Sequence, residues 1–95
     1  MSRYTVSRHA RADLKGIYQY IAEHSVVAAG HLRELFFDTF ELLSRQSLVG
    51  ESCEDLLPGL RRFTVSNYVV FFVPITGGVR IVRVLHGARD VSSLF

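Results

Sequence analysis

Cysteine, lysine and methionine each occur once in these 95 residues, proline twice and tryptophan not at all. A lone cysteine, Cys53, has no partner for an internal disulfide, which excludes the bridged scaffolds of small secreted domains. No Cys-x-x-Cys or His-Glu-x-x-His spacing occurs, and His9, His24, His31 and His86 lack ligand-like pairing, so no metal or other cofactor is expected. No Gly-rich phosphate loop follows a strand, and no serine sits in a nucleophile-elbow context. No apolar run approaches the ~18 residues that cross a bilayer. The opening Met1-Ser-Arg-Tyr leads straight into strand-like sequence rather than a secretory signal. The expected setting is reducing and cytoplasmic, away from membranes, for one domain spanning residues 1–95.

What is present is unevenly charged. Residues 1–58 carry six bases and eight acids, a balance of 6 − 8 = −2. Residues 59–95 carry five arginines and one acid, Asp90, a balance of 5 − 1 = +4. Lys15 is the only lysine, and arginine's planar fork suits carboxylate or phosphate better than a point charge does. An acidic protein or a nucleic acid would both fit that half of the chain.

Tyr4–Ser7 alternates and predicts a first strand, with Ser7 placed to cap a helix. Ala10, Leu14, Ile17, Tyr18 and Ile21 then recur at helical spacing, with Arg11, Asp13, Lys15, Gln19 and Glu23 opposite, predicting a helix over about Arg8–His24. Ser25 caps a second helix, Val26–Arg45, with a core stripe of Ala28, Leu32, Leu35, Phe36, Thr39, Leu42 and Leu43. Phe37 and Phe40 form a flanking stripe, either a widening of the core face or a site where one ring waits for a partner. Gln46–Gly59 reads as a loop tucked in by Leu48, Val49, Leu56 and Leu57. Cys53 there lacks a basic sequence neighbour and reads as a bystander thiol.

Branched and aromatic residues dominate Leu60–Val65, Tyr68–Ile75 and Val79–His86, predicting an antiparallel meander turned by Ser66-Asn67 and Gly77-Gly78. The fold class is therefore α+β: a strand, a helical hairpin, then three strands, β-α-α-β-β-β. Alternation puts Phe63, Val65, Tyr68, Val70, Phe72, Ile81 and Leu85 on one sheet face with Arg61 and Arg83. Arg62, Thr64, Val69, Phe71, Val73, Val82 and Val84 fall on the other with Arg80 and His86. Two helices cover one face only. The second needs the tail Val91–Phe95, another copy or another protein.

Among the arginines, Arg61 and Arg80 read as solvated edges. Arg83, between Val82 and Val84, needs an acid to offset its desolvation, and Asp90 is the expected partner. Arg62 and Arg89 are equally suited to binding. His86 reads as a structural hydrogen-bonding residue first and an acid or base second.

Ala12-Asp13-Leu14 leading to Ile17-Tyr18-Gln19-Tyr20-Ile21 is one part of a larger ordered pattern. Pro58-Gly59-Leu60-Arg61-Arg62-Phe63, Asn67-Tyr68-Val69-Val70-Phe71-Phe72 and Ile81-Val82-Arg83-Val84-Leu85-His86-Gly87-Ala88-Arg89-Asp90 complete it. The ordered set resembles the ParE/RelE toxin superfamily over nearly the whole chain, and its ParE-like branch most closely. The resemblance implies the toxin of a bacterial type II toxin–antitoxin pair, bound in a hetero-oligomer by a small ParD-like antitoxin whose flexible C-terminal part wraps it.

RelE-like members are ribosome-dependent mRNA endonucleases that use sheet bases and, in the type member, a terminal tyrosine. Those positions fall here on Leu60, Arg62, Val69, Arg89 and Phe95, so two bases remain and the hydroxyl is lost. Leucine and valine can neither stabilise phosphate charge nor move a proton. ParE-like members are associated with DNA gyrase inhibition and no nuclease site. The expectation is therefore a non-enzymatic gyrase inhibitor. The alternative is a diverged interferase using Arg62, Arg89 and His86. Val69, Phe71, Val73, Val82 and Val84 then become a candidate antitoxin or target surface. Phe37 and Phe40 would join it, rimmed by Arg61, Arg62, Arg80, Arg83, His86 and Arg89.

Overall fold

The structure, a computed structural model, describes residues 3–87, Val91, Leu94 and Phe95. The chain runs β1 (Arg3–Val6), α1 (Arg8–Ala22), α2 (Val26–Arg45), β2 (Glu51–Ser52), β3 (Arg61–Val65), β4 (Tyr68–Ile75) and β5 (Gly78–His86). The α+β order is the expected one, with two additions: β2 forms inside the long loop, and β1 joins the meander. The five strands make one mixed sheet in the order β1-β5-β4-β3-β2. β1 lies parallel to β5, and the remaining pairs are antiparallel.

Ser7 joins the first two elements. Its hydroxyl accepts from the Ala10 amide at 3.0 Å, capping α1, and donates to the Val82 carbonyl at 2.8 Å. Its own amide donates to the Ile81 carbonyl. One residue thus satisfies an orphan helix donor and continues the sheet edge. Ser25 caps α2 in the same way, accepting from Ala28 at 3.1 Å. α1 ends at Ala22, two residues short of the expected His24, and α2 has the expected bounds.

The turn between β4 and β5 is shifted by one residue from the expected Gly77-Gly78. Gly78 already pairs with Ile75, leaving Thr76-Gly77 as the loop. Gly77 takes a φ of 80°, which glycine adopts at little cost. Gly78 serves a different need, because a Cβ there would fall on the Arg3 carbonyl of β1.

A β-bulge corrects the expected sheet faces. Phe71 pairs with Arg83 but Phe72 pairs with Ile81, so Val82 is the extra residue. Beyond it the alternation reverses: Val84 lies on the helix face and Leu85 on the opposite one, contrary to plain alternation. The helix-side core joins Ala10, Phe36, Phe40 and Leu43 to Val65, Val70, Phe72, Val79, Ile81 and Val84. Phe36 anchors it, with rings of Tyr18, Phe40 and Tyr68 at 5.7–6.2 Å.

The second face has its own smaller core of Cys53, Leu60, Phe71 and Leu85. The tail contributes Val91, Leu94 and Phe95, with the Phe95 ring 5.1 Å from Phe71. From the loop, Val49 and Leu56 tuck in as expected, whereas Leu48 and Leu57 face outward. In α2, Ala29 is buried in place of Ala28, and Leu35 is exposed. No helix is long and apolar enough to cross a membrane among the described residues.

Candidate functional site

Most of the arginines expected to rim the sheet are already engaged. Arg61 spans the loop before β2, its guanidinium donating to the carbonyls of Leu48, Val49 and Gly50 at 2.7–3.3 Å. It is a structural clamp and not the solvated edge expected of it. Arg62 donates to Glu51 across the β2–β3 pair at 3.0 Å, and both side chains remain largely in solvent. That hydrogen bond holds the Arg62 guanidinium above its usual pKa. An exposed pair of this kind contributes at most about 1 kcal/mol.

Arg83 has the deepest partnership, and it corrects the expected pairing with Asp90. Its Nε and Nη2 donate to the two carboxylate oxygens of Asp13 at 2.8 and 2.9 Å, with both side chains mostly buried. The same carboxylate accepts the Val84 amide at 3.0 Å. β1 ends at Val6, so Ser7 and Asp13 take over as partners for the outer edge of β5. The Asp13 hydrogen bond raises the Arg83 pKa, so charge loss from Arg83 affects stability only in strong alkali. Arg80 is exposed on β5, and Arg89 and Asp90 lie outside the described residues.

Several of the apolar candidates are core and not surface. Phe40 is 2% exposed, Phe71 1% and Val84 1%. Phe40 belongs to the core side of α2, Phe71 lies beneath the tail and loop, and Val84 is carried to the helix side by the bulge. Val69, Val73 and Val82 stay partly buried around the second core. Phe37 is half exposed, the outcome in which one ring of the flanking stripe stays in water.

His86 ends β5 exposed, its ring edge-on to Tyr68 at 5.7 Å. It pairs with Tyr68 in register, and Val65 pairs with Tyr68 from the other side, while Arg62 pairs with Phe71. Arg62 and His86 are therefore two strands and three residues apart, roughly 14 Å by sheet geometry, on opposite faces. Between α1 and the ends of β4 and β5 lies an open groove of about 700 Å3, lined by Ala12, Gly16, Ile17, Tyr20, Tyr68 and His86 among others. Sequence reading missed it because its two walls are distant in the chain; exposed Tyr20 at the edge of the α1 stripe was the available signal.

Cys53 is buried, and burial pushes its thiol up, against a smaller lowering by Arg62. Thiol alkylation at pH 8 is expected to be slow in the native protein and fast in denaturant. Equal rates in the two states would contradict this placement. Because the folded thiol keeps its proton to higher pH, its contribution to stability is complete below the unfolded pKa of about 8.5 and declines above it.

The family model described as the ParE toxin of the type II toxin–antitoxin system parDE matches residues 4–91. The chain belongs to this ParE toxin family. Toxin ParE1 of Caulobacter vibrioides is 38% identical over 92 residues, covering 95% of this chain and 94% of the relative. The solved structure titled as the chromosomal ParDE TA system from P. aeruginosa superposes with a TM-score of 0.72 at 21% identity. It covers 90% of this chain and 96% of that one. This structural likeness concerns the fold alone, a helical hairpin packed on one mixed sheet.

Proposed function

We propose that this ParE-family toxin acts without catalysis by binding and inhibiting DNA gyrase, and that a ParD-like antitoxin neutralises it in a hetero-oligomer. Family membership supports the toxin assignment, and the placement of the polar side chains supports the absence of catalysis. An interferase needs cations and a proton carrier converging on one phosphate. Arg62 is instead paired with Glu51 and separated from His86 by the sheet itself. Arg61, first read as a solvated edge, and Arg83, first read as half of an ion pair, are satisfied by carbonyls and by Asp13.

A binding toxin needs accessible apolar surface instead, and Phe37, Tyr20, Val26 and Val27 supply it on the helical hairpin. Val69, Val73 and Val82 add a separate, partly exposed apolar surface on the opposite face of the sheet, around the second core. Purified gyrase supercoiling relaxed plasmid is the test. The toxin should abolish supercoiling in proportion to its amount, and prior mixing with the antitoxin encoded beside it should restore it. Full supercoiling at excess toxin would refute the target assignment.

A further inference from the structure

The parallel pairing of β1 with β5 brings together two stretches of chain that hold bases and no acid. Residues 1–12 contain Arg3, Arg8 and Arg11, residues 56–89 contain Arg80 among others, and neither stretch has an Asp or Glu. Thr5 pairs with Arg80 in register, and Arg3 stands two residues before Thr5. Tyr4, Val6, Val79 and Ile81 turn to the helix-side core, so Arg3, Thr5 and Arg80 share the opposite face of the sheet. All three are exposed, and so is Arg8, the first residue of α1.

Arg3, Arg8 and Arg80 enter none of the ion pairs among the described residues. Glu41 also lies near β1, where burial first and its charge second raise the Tyr4 pKa. It acts from the helix side, however, and is engaged by Arg45 at 3.9 Å. Folding does not account for the cluster. Like charges on neighbouring strands repel one another. Arg8 also opens a helix whose first turn has no acid, a placement that opposes the helix dipole.

We propose that the open face of the β1–β5 pair is a contact for the phosphate backbone of DNA, made by Arg3 and Arg80 with Thr5 beside both and Arg8 beyond. Arg3 and Arg80 differ in level by two residues, about 6.6 Å along the strands. Charges on one DNA strand rise about 3.4 Å each, so two guanidinium forks at this spacing meet phosphates two steps apart. The Thr5 hydroxyl is placed to donate to a phosphate oxygen between them. DNA is favoured over an acidic protein because the row lacks apolar anchors. Among the described residues the exposed apolar neighbour is Ile75, across Gly78 in the register. A protein interface is centred on several buried apolar or aromatic anchors, whereas phosphate contacts need none. The proposal deepens the gyrase reading above and rests on it for where the DNA lies: the toxin touches the DNA that gyrase holds.

The test titrates purified full-length toxin into a short fluorescent duplex of random sequence, and then assays gyrase supercoiling. With three phosphate contacts, wild-type affinity for the duplex should fall about 40-fold between about 50 and 200 mM salt. The double variant Arg3→Gln, Arg80→Gln keeps one contact, so its affinity should fall only about 3.5-fold over the same range. Both positions are exposed, so the variant should melt within a few degrees of wild type. It should still bind the antitoxin encoded beside it. On gyrase it should need at least about tenfold more protein than wild type to stop supercoiling.

An unchanged salt dependence in the variant overturns the proposal, as does a wild type that leaves the duplex free at about 50 mM salt. Loss of antitoxin affinity with duplex affinity intact assigns the row to the antitoxin and also overturns it. A variant that loses the duplex yet inhibits gyrase as well as wild type overturns the placement of that DNA on gyrase. Duplex binding that weakens in the variant, with gyrase untouched by wild type, refutes the gyrase reading and supports the phosphate contact.

Discussion

Asp13→Ala is expected to destabilise the folded chain by about 3–5 kcal/mol, the largest effect of any single polar substitution here. Two losses combine. The Arg83 guanidinium, mostly buried, is left without its bidentate carboxylate, and the Val84 amide loses its acceptor at the β5 edge. The second loss alone accounts for about 1 kcal/mol or more. For a domain of this size a 3 kcal/mol change lowers the melting temperature by roughly 12–24 °C. Urea denaturation of Asp13→Ala, Arg83→Met and the double variant separates the terms. Arg83→Met in the Asp13→Ala background should recover part of the stability, since the unpaired charge is gone, while the Val84 amide remains unsatisfied. A cost below about 1 kcal/mol for Asp13→Ala would mean that the pair does not close the β5 edge.

Gly78→Ala is the second large effect, at about 3 kcal/mol, and its origin is steric. The added methyl would occupy the space of the Arg3 carbonyl, which is backbone and cannot swing aside. β1 must then separate from β5, releasing the Arg3 amide from the Gly77 carbonyl and the Ser7 amide from that of Ile81. Hydrogen exchange should report this locally, with protection lost at Arg3, Thr5 and Ser7 while the β3–β4 amides stay protected. Gly77→Ala, one residue away, has free space around it and only an unfavourable φ, so it should cost about 1 kcal/mol. Equal effects at the two glycines would contradict the strand placement.

The helices and the meander were legible because their signals are local. Ser7 and Ser25 mark two caps, and the stripe from Leu32 to Leu43 carries a 3.6-residue period that survives packing. What the sequence concealed is non-local. The parallel β1–β5 pair joins residues some 75 apart, and no pattern in Tyr4–Ser7 names its neighbour. The bulge at Val82 lacks a glycine or proline to mark it, yet it exchanges Val84 and Leu85 between faces.

Asp13 was read as part of the solvated side of α1, although it shares the four-residue spacing of Ile17 and Ile21 and so faces β5. That spacing was the signal for its pairing with Arg83. Arg61 and Arg62 show the same limit for the candidate site. Their charge was visible, but the loop carbonyls and the Glu51 partner that use it become visible only when the chain is folded.

The central claim is that this toxin inhibits its target by binding and not by cutting RNA. The most direct measurement runs wild-type toxin and Arg62→Ala side by side, on gyrase supercoiling and on mRNA held by translating ribosomes. Both proteins should inhibit gyrase to similar extents, and neither should cleave mRNA. Ribosome-dependent cleavage by the wild type that disappears in Arg62→Ala, with gyrase unaffected by either, would contradict that claim.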